Sequence, residues 1–387
     1  MMHELALEFM HQEHLVTMLV PDTNKNYGNL IIRKSEFKLE NFESVPVIRF
    51  PSGRIKNINK IVRLINEFLL PYRAWKYAKV YLKSQNYDLV VYYSPSIFWS
   101  AIVTKLKNKY RIKSYLILRD FFPQWAIDSG LISEKSLITK FFRYFEKKNY
   151  KAADKIGIQS PGNIDLFLHY FPNLKNKVEL LYNWADTNPN NLLNNNKFNF
   201  RSKWNLQNKI LFFYGGNIGH AQDMKNLLFL AESMEKSYSN AFFLFIGSGD
   251  ETDLVQKTIK EKKLSNSLYL PSISQSEFKH LLDEIDIGLF SLHPDHKSHN
   301  FPGKLLGYMQ ASKPILGCVN KGNDLMKTIH DYEAGYISIS GEHNKMYESA
   351  IKLLNTNHRI AIGKNANRLL LEKFSANSAV ENIIKFL

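Results

Sequence analysis

Short apolar runs recur along this chain, each closed by glycine, proline or a polar residue. Most are followed by segments whose apolar positions return every three or four residues. In the first half the runs 15–20, 45–50, 88–93, 114–118, 154–159 and 178–182 are predicted strands. In the second half they are 210–214, 241–246, 267–270, 285–292, 315–319 and 335–339, with two helices closing the chain. The clearest unit is KILFFYGGNIGHAQDMKNLLFLAESM, where an apolar run ends on Gly215 and Gly216. Beyond Asp223, the residues Met224, Leu227, Leu228, Ala231 and Met234 keep helical spacing. Ser274 with Glu277 reads as a capping box for the helix that precedes the run 285–292. Apolar strands alternating with helices predict an α/β protein whose parallel sheets are covered on both faces.

The length of 387 residues suits two such domains. The stretch NWADTNPNNLLNNNKFN carries Pro189, is dominated by asparagine and breaks both periodicities, so it reads as the connection between them. The expected organisation is a first domain over 1–183, a linker over 184–199, a second domain over 200–370, and a last helix over 371–387 that returns towards the first domain. The chain opens on a helical pattern, 2–13, whereas a doubly wound half begins with a strand and its glycine turn. The first strand of this half is therefore expected upstream of residue 1.

Charge narrows the choice of partner. With 51 Lys+Arg against 36 Asp+Glu the formal charge is +15, and nucleic acid, an acidic membrane surface and phosphorylated substrates all qualify. No nucleic-acid reader motif is present, which leaves the other two. Between residues 54 and 83, Arg54, Lys56, Lys60, Arg63, Arg73 and Lys76 interleave with apolar side chains against only Glu67. Such a stretch either lies on an anionic membrane or packs its apolar side inward as an ordinary helix. No apolar run is long enough to span a bilayer. The lone Cys318 rules out an internal disulfide and fits a reducing cytoplasm.

Candidate chemistry sits at strand ends, because the carboxyl ends of strands line the ligand crevice of an open α/β sheet. There lie Gly215, Gly216 and Asn217, then Gly247 with Ser248 and Gly249, and then Gly303 with Lys304. Glycine turns that lead into helices suit a phosphate, although the same glycines can serve backbone geometry alone. Lys304 opens a short helix, where the dipole disfavours a cation and a bound anion would explain it. In the first half Arg119 and Asp120 end the strand of LILRDFFPQW and either face the crevice or form a structural ion pair. His293, His296 and His299 crowd one loop with Asp295, a poor geometry for a tetrahedral metal site, and no Asp-x-Asp pair follows a strand.

Five segments, SPSIFW (94–99), LILRDFFPQWAIDSGLI (116–132), YGGNIGHAQDM (214–224), FIGSGDE (245–251) and FPGKLLGYMQASKPILG (301–317), resemble the family 4 glycosyltransferases. The similarity is strongest to the bacterial branch that builds O-antigen and capsule polysaccharides. The resemblance implies two Rossmann-like doubly wound domains facing a cleft, the GT-B architecture, with the first strand of the N-terminal domain absent here. It also implies a retaining transfer without metal or other cofactor, from a nucleotide sugar, UDP-linked and carrying an N-acetylated or deoxy sugar. The acceptor would be a polyprenyl-diphosphate-linked glycan at the cytoplasmic face of the inner membrane. Gly215, Gly216, Asn217, Gly247, Gly303 and Lys304 would face the donor diphosphate, and Ser272 and Ile273 the base. Arg119, Asp120 and Lys304 would do the chemistry. The family has two glutamates eight positions apart, and this chain has His299 and Gly307 there. The second of them ordinarily holds the donor ribose. An inactive homologue serving as an assembly partner, and a sugar-nucleotide epimerase of the same architecture, are the alternatives.

Overall fold

The computed structural model describes residues 1–22, 38–55, 58–187, 199–295 and 301–387. The chain divides into two compact units, Met1–Tyr182 with Ala379–Leu387, and Asn183–Ser378.

The first unit holds strands β1 (Met18–Asp22), β2 (Lys38–Phe42), β3 (Val45–Pro51), β4 (Leu89–Ser94), β5 (Lys113–Leu118), β6 (Lys155–Ile158) and β7 (Val178–Leu180). They form two sheets, β1-β3-β2 and β4-β5-β6-β7, which corrects the expectation of one doubly wound sheet. The second sheet is wholly parallel, whereas β2 runs antiparallel to β3. The local cause is the tight connection Glu43–Ser44: both residues have positive φ, and they turn the chain straight back on itself. β2 was not among the predicted strands, since KLENF carries no apolar run. The helix Lys60–Lys83 passes through Pro71 and buries Leu70, Ala74, Ala78 and Leu82 against Ile48 and Phe50 of β3.

The second unit is a single parallel sheet of β8 (Ile210–Asn217), β9 (Ala241–Ser248), β10 (Ser267–Leu270), β11 (Ile287–Ser291), β12 (Ile315–Val319) and β13 (Gly335–Ile339). Its order, β10-β9-β8-β11-β12-β13, is doubly wound. The sequence pattern accounts for it: Leu211–Tyr214 and Phe243–Phe245 are fully buried because helices cover both faces. Phe212 stacks on Phe243 with ring centroids 4.8 Å apart. Asp286 joins the starts of two neighbouring strands, accepting from the Leu211 amide at 2.8 Å and pairing with Arg201 at 2.6 Å. The predicted capping box forms, Ser274 and Glu277 satisfying each other's amides at the start of the helix Gln275–Glu284. Three helices, His343–Lys352, Thr356–Lys373 and Ala376–Ile384, close the chain where two were expected.

The asparagine-rich stretch begins with packed residues. Trp184 is 1% exposed and Ala185 bridges Ser375, so apolar burial overrides the local turn preference there; residues 188–198 lie outside the described residues. Among the described residues, no helix is long and apolar enough to cross a membrane.

Fully buried Tyr308 ties the centre of the second sheet together. Its hydroxyl accepts from the Gly215 amide at 3.3 Å and lies 3.2 Å from the carbonyls of Phe213 and Leu289, so it fastens β8 to β11. Removing a buried hydroxyl strands these groups, so Tyr308→Phe should lower unfolding free energy by about 1–3 kcal/mol in a denaturant titration. An unchanged midpoint and slope would show that the hydroxyl does not fasten the two strands.

Candidate functional site

In the second sheet β8 and β11 are neighbours, but the chain winds away from them in opposite directions, through β9 and β10 on one side and β12 and β13 on the other. Such a switch leaves a crevice at the carboxyl ends of the two strands. The residues that end β8, β9 and β10, together with the short helix Lys304–Gln310 that follows β11, are thereby set at one rim.

The glycines of β8 are not a turn, which corrects the sequence reading. Gly215, Gly216 and Asn217 continue the strand and pair with Ile246, Gly247 and Ser248 of β9. Their small size answers to neighbours: a Cβ at Gly215 would lie 2.6 Å from the Phe278 ring, and one at Gly247 would lie 1.8 Å from the Gly216 carbonyl oxygen. The helix that follows starts only at Met224, after Asp223 in the left-handed region at φ 42°. Its first amide donates to the Glu251 carboxylate at 3.4 Å, so the protein's own anion occupies that helix start.

The anion-binding feature at this rim is instead Lys304. Its stem is partly exposed, but its ammonium is buried and has no hydrogen-bond partner among the described residues. Nζ lies 3.4 Å from the centroid of the Tyr214 ring, and a Cβ at Gly216 would stand 3.8 Å from Nζ. Thus the lysine after β11 and the glycine in β8 meet at one point, and Gly216, at φ 121°, leaves the ammonium room. Burial pulls the Lys304 pKa down to about 7. A cation over an aromatic face is attracted by the ring quadrupole, which offsets part of the lost hydration. The Tyr214 hydroxyl, whose pKa burial raises, donates to the Asn217 carbonyl and so fixes the ring.

The remaining predicted residues divide. Asn217 donates to Gln222 Oε1 at 2.7 Å, and exposed Ser272 reaches Ser248 Oγ at 3.2 Å, so the ends of β9 and β10 join the same rim, with Ile273 beside them. Gly303 is exposed, with no atom near a built Cβ. Gly307 sits one turn beyond Lys304, where a Cβ would be 3.1 Å from Leu282. His299 and His296 lie outside the described residues, whereas the His293 ring lies tilted against His220 with centroids 4.4 Å apart. Among the described residues no cluster of His, Cys, Asp and Glu could hold a metal ion. Tyr214, Tyr308 and Phe278 are the site residues the sequence reading did not single out. The first two lie inside quoted motifs, but only the folded packing shows what they touch.

In the first unit Arg119 and Asp120 end β5, yet they point to different environments. Arg119 is buried, and its guanidinium donates to the carbonyls of Leu181 and Tyr182 at 2.6 and 3.0 Å. Burial pulls its pKa down to about 10, with Tyr93, Tyr115 and Asp120 acting against that shift. It serves the chain path after β7. Asp120 is the exposed member, and desolvation raises its pKa while Arg119 lowers it. Of the basic residues predicted to meet a membrane, Arg54, Lys60, Arg63 and Lys76 are exposed, and Lys56 lies outside the described residues. Arg73 is 8% exposed: it stands seven positions after fully buried Asn66 and on the same inward face, which corrects its assignment.

Residues 196–387 match the profile described as glycosyl transferases group 1. The probable glycosyltransferase WbjE of Pseudomonas aeruginosa is 23% identical over 224 residues, which are 58% of this chain and 55% of that protein. The uncharacterized glycosyltransferase MJ1059 of Methanocaldococcus jannaschii is 25% identical over 257 residues, 65% of this chain and 57% of that protein. The chain thus spans little more than half the length of these curated relatives. Among solved structures, a sucrose-phosphate synthase from Thermosynechococcus elongatus is similar with a TM-score of 0.69 at 13% identity, over 100% of this chain and 91% of that one. Anabaena HepE in complex with UDP gives 0.63 at 13% identity, over 96% and 98%. At such identities the likeness speaks for an α/β fold with parallel sheets. Most of the doubly wound second unit, including the buried lysine at its switch point, thus falls within the residues that are similar to glycosyl transferases group 1, 196–387.

Proposed function

We propose that the protein is a retaining, metal-independent glycosyltransferase that moves a sugar from a UDP-linked donor to a lipid-linked glycan in surface polysaccharide synthesis. The transferred sugar is N-acetylated or deoxy. The observation that carries the reading is the Lys304 ammonium, buried without a partner among the described residues, at the switch point of a sheet similar to glycosyl transferases group 1. Departure of the nucleotide places negative charge on its diphosphate. A cation already held in a dry setting stabilises that charge with little reorganisation. Related folds support the parts: HepE was solved with UDP, and WaaG is described as a glycosyltransferase of lipopolysaccharide biosynthesis. Work on a trehalose-6-phosphate synthase of similar fold addresses transfer with retention. Asp120 orients the acceptor hydroxyl, and Arg119 keeps that strand end in place. Exposed Arg54, Lys60, Arg63 and Lys76 attract an anionic membrane surface to the first unit. Gly307, where a glutamate would hold the donor ribose, favours a second reading as an inactive assembly partner, and calorimetric titration with UDP decides between them.

If Lys304 stabilises the leaving group, Lys304→Ala should lower kcat/KM by roughly a hundredfold or more, the cost of one preorganised charge-stabilising donor. An unchanged kcat/KM removes Lys304 from the mechanism. The lysine also makes donor binding depend on pH. Its ligand-free pKa is about 7, and an anion beside it raises that value, so above neutrality binding takes up a proton. UDP affinity should therefore fall as pH rises from 7, approaching tenfold per unit until the pKa of the complex is reached. In Lys304→Met it should stay flat over the same range, and a parallel fall in both proteins would exclude this proton.

A further inference from the structure

The first unit carries a second buried cation. β1 and β3 run parallel, and their carboxyl ends meet at Asp22 and Pro51. There Ser52, 1% exposed, donates from Oγ to the Asp22 carbonyl at 3.2 Å. Gly53 lies flat on Asn66, since a Cβ would stand 2.2 Å from Asn66 Oδ1. Asn66 is fully buried, and its Nδ2 donates to the Arg54 carbonyl at 2.9 Å, while its Oδ1 accepts from Arg73 Nη1 at 3.3 Å. The helix Lys60–Lys83 therefore spends two buried polar residues on holding one strand-end loop.

Arg73 is the unusual member. Its guanidinium makes that single hydrogen bond, and among the described residues it forms no ion pair. The sole acidic residue of its helix, Glu67, is paired with Arg63 at 2.7 Å. Burial pulls the Arg73 pKa below its ordinary value. Its remaining donors are not sealed from water, so an anion of two or more oxygens can reach the part of the fork that Asn66 leaves free. Exposed Arg54 follows directly on the loop and adds a second fork of donors.

We propose that the Ser52–Arg54 loop, backed by Arg73, is a phosphate-binding subsite of the first unit, which takes the phosphate or diphosphate group of the acceptor. Only the word acceptor rests on the function proposed above.

Calorimetry on the full chain tests it, with UDP held at saturation and inorganic pyrophosphate as titrant. A binding event should appear that Arg54→Ala weakens about tenfold and Arg73→Lys, which keeps the charge but loses the fork, by at least as much. Lys304→Met should leave it unchanged. Arg54 is exposed, so its variant reads the subsite without disturbing the core. No pyrophosphate binding, or equal affinity in the wild type and both arginine variants, overturns the proposal. If UDP itself fails to bind, the donor reading falls while pyrophosphate titration of Lys304→Met still reports on this subsite alone. A soluble prenyl diphosphate binding tighter than pyrophosphate makes the ligand lipid-linked, and equal affinity makes it the anion itself. Either result keeps the subsite.

Discussion

An unpaired ammonium in the interior is the constraint on which the second unit is arranged. Hydration of a charge is worth far more than a neighbouring aromatic ring returns, so Lys304 is held in place by its surroundings rather than drawn there. Three features do the holding. The Tyr214 ring is fixed through its own hydroxyl, Gly216 leaves open the space a side chain would fill, and Tyr308 fastens the two strands whose ends define the crevice. Tyr214 and Gly216 belong to β8, and Tyr308 reaches both strands from the short helix after β11, so the site is a property of the sheet centre and not of a loop.

This explains what could be read from the sequence and what could not. Uninterrupted apolar runs such as ILFFY and AFFLF can only be buried on both faces, so the parallel sheet of the second unit followed from the pattern. The capping box at Ser274 was legible for the same reason: both partners are local. The glycines were misleading because a glycine pair after a strand has two uses that look alike in sequence. Here the neighbouring Phe278 ring and the adjoining strand β9 demand small residues, and neither contact is local. Nor could the pattern foresee the paired polar strand β2.

Arginine placement shows the same limit from the other side. The strand-end rule located Arg119 correctly along the chain, but two carbonyls more than sixty positions away capture its guanidinium. Arg73 was counted among surface charges, although its helical register with Asn66, Ala74 and Ala78 was available in the sequence. Charge outweighed periodicity in that reading, and the fold reversed the order. The pairing of Asn66 with the Gly53 loop had no local signal at all, since they stand thirteen positions apart.

Comparing Arg119, Lys304 and Arg73 separates structure from function on physical grounds. Arg119 has carbonyl acceptors at short distance, so its charge is compensated within the protein, and its removal would unfasten the chain that follows β7. Among the described residues Lys304 has no acceptor, and Arg73 has one weak acceptor for a group with five donors. A protein that buries a cation without compensating it carries a standing electrostatic cost, and that cost is recovered only when an anion arrives. Only Lys304 is buried in that way, while the free donors of Arg73 reach water; both lie beside the carboxyl ends of parallel strands, β8 and β3 respectively, where an open α/β sheet admits ligands. Incomplete compensation at a sheet's ligand rim is therefore a sharper guide to phosphate sites in this chain than its glycines, its helix starts or its total charge.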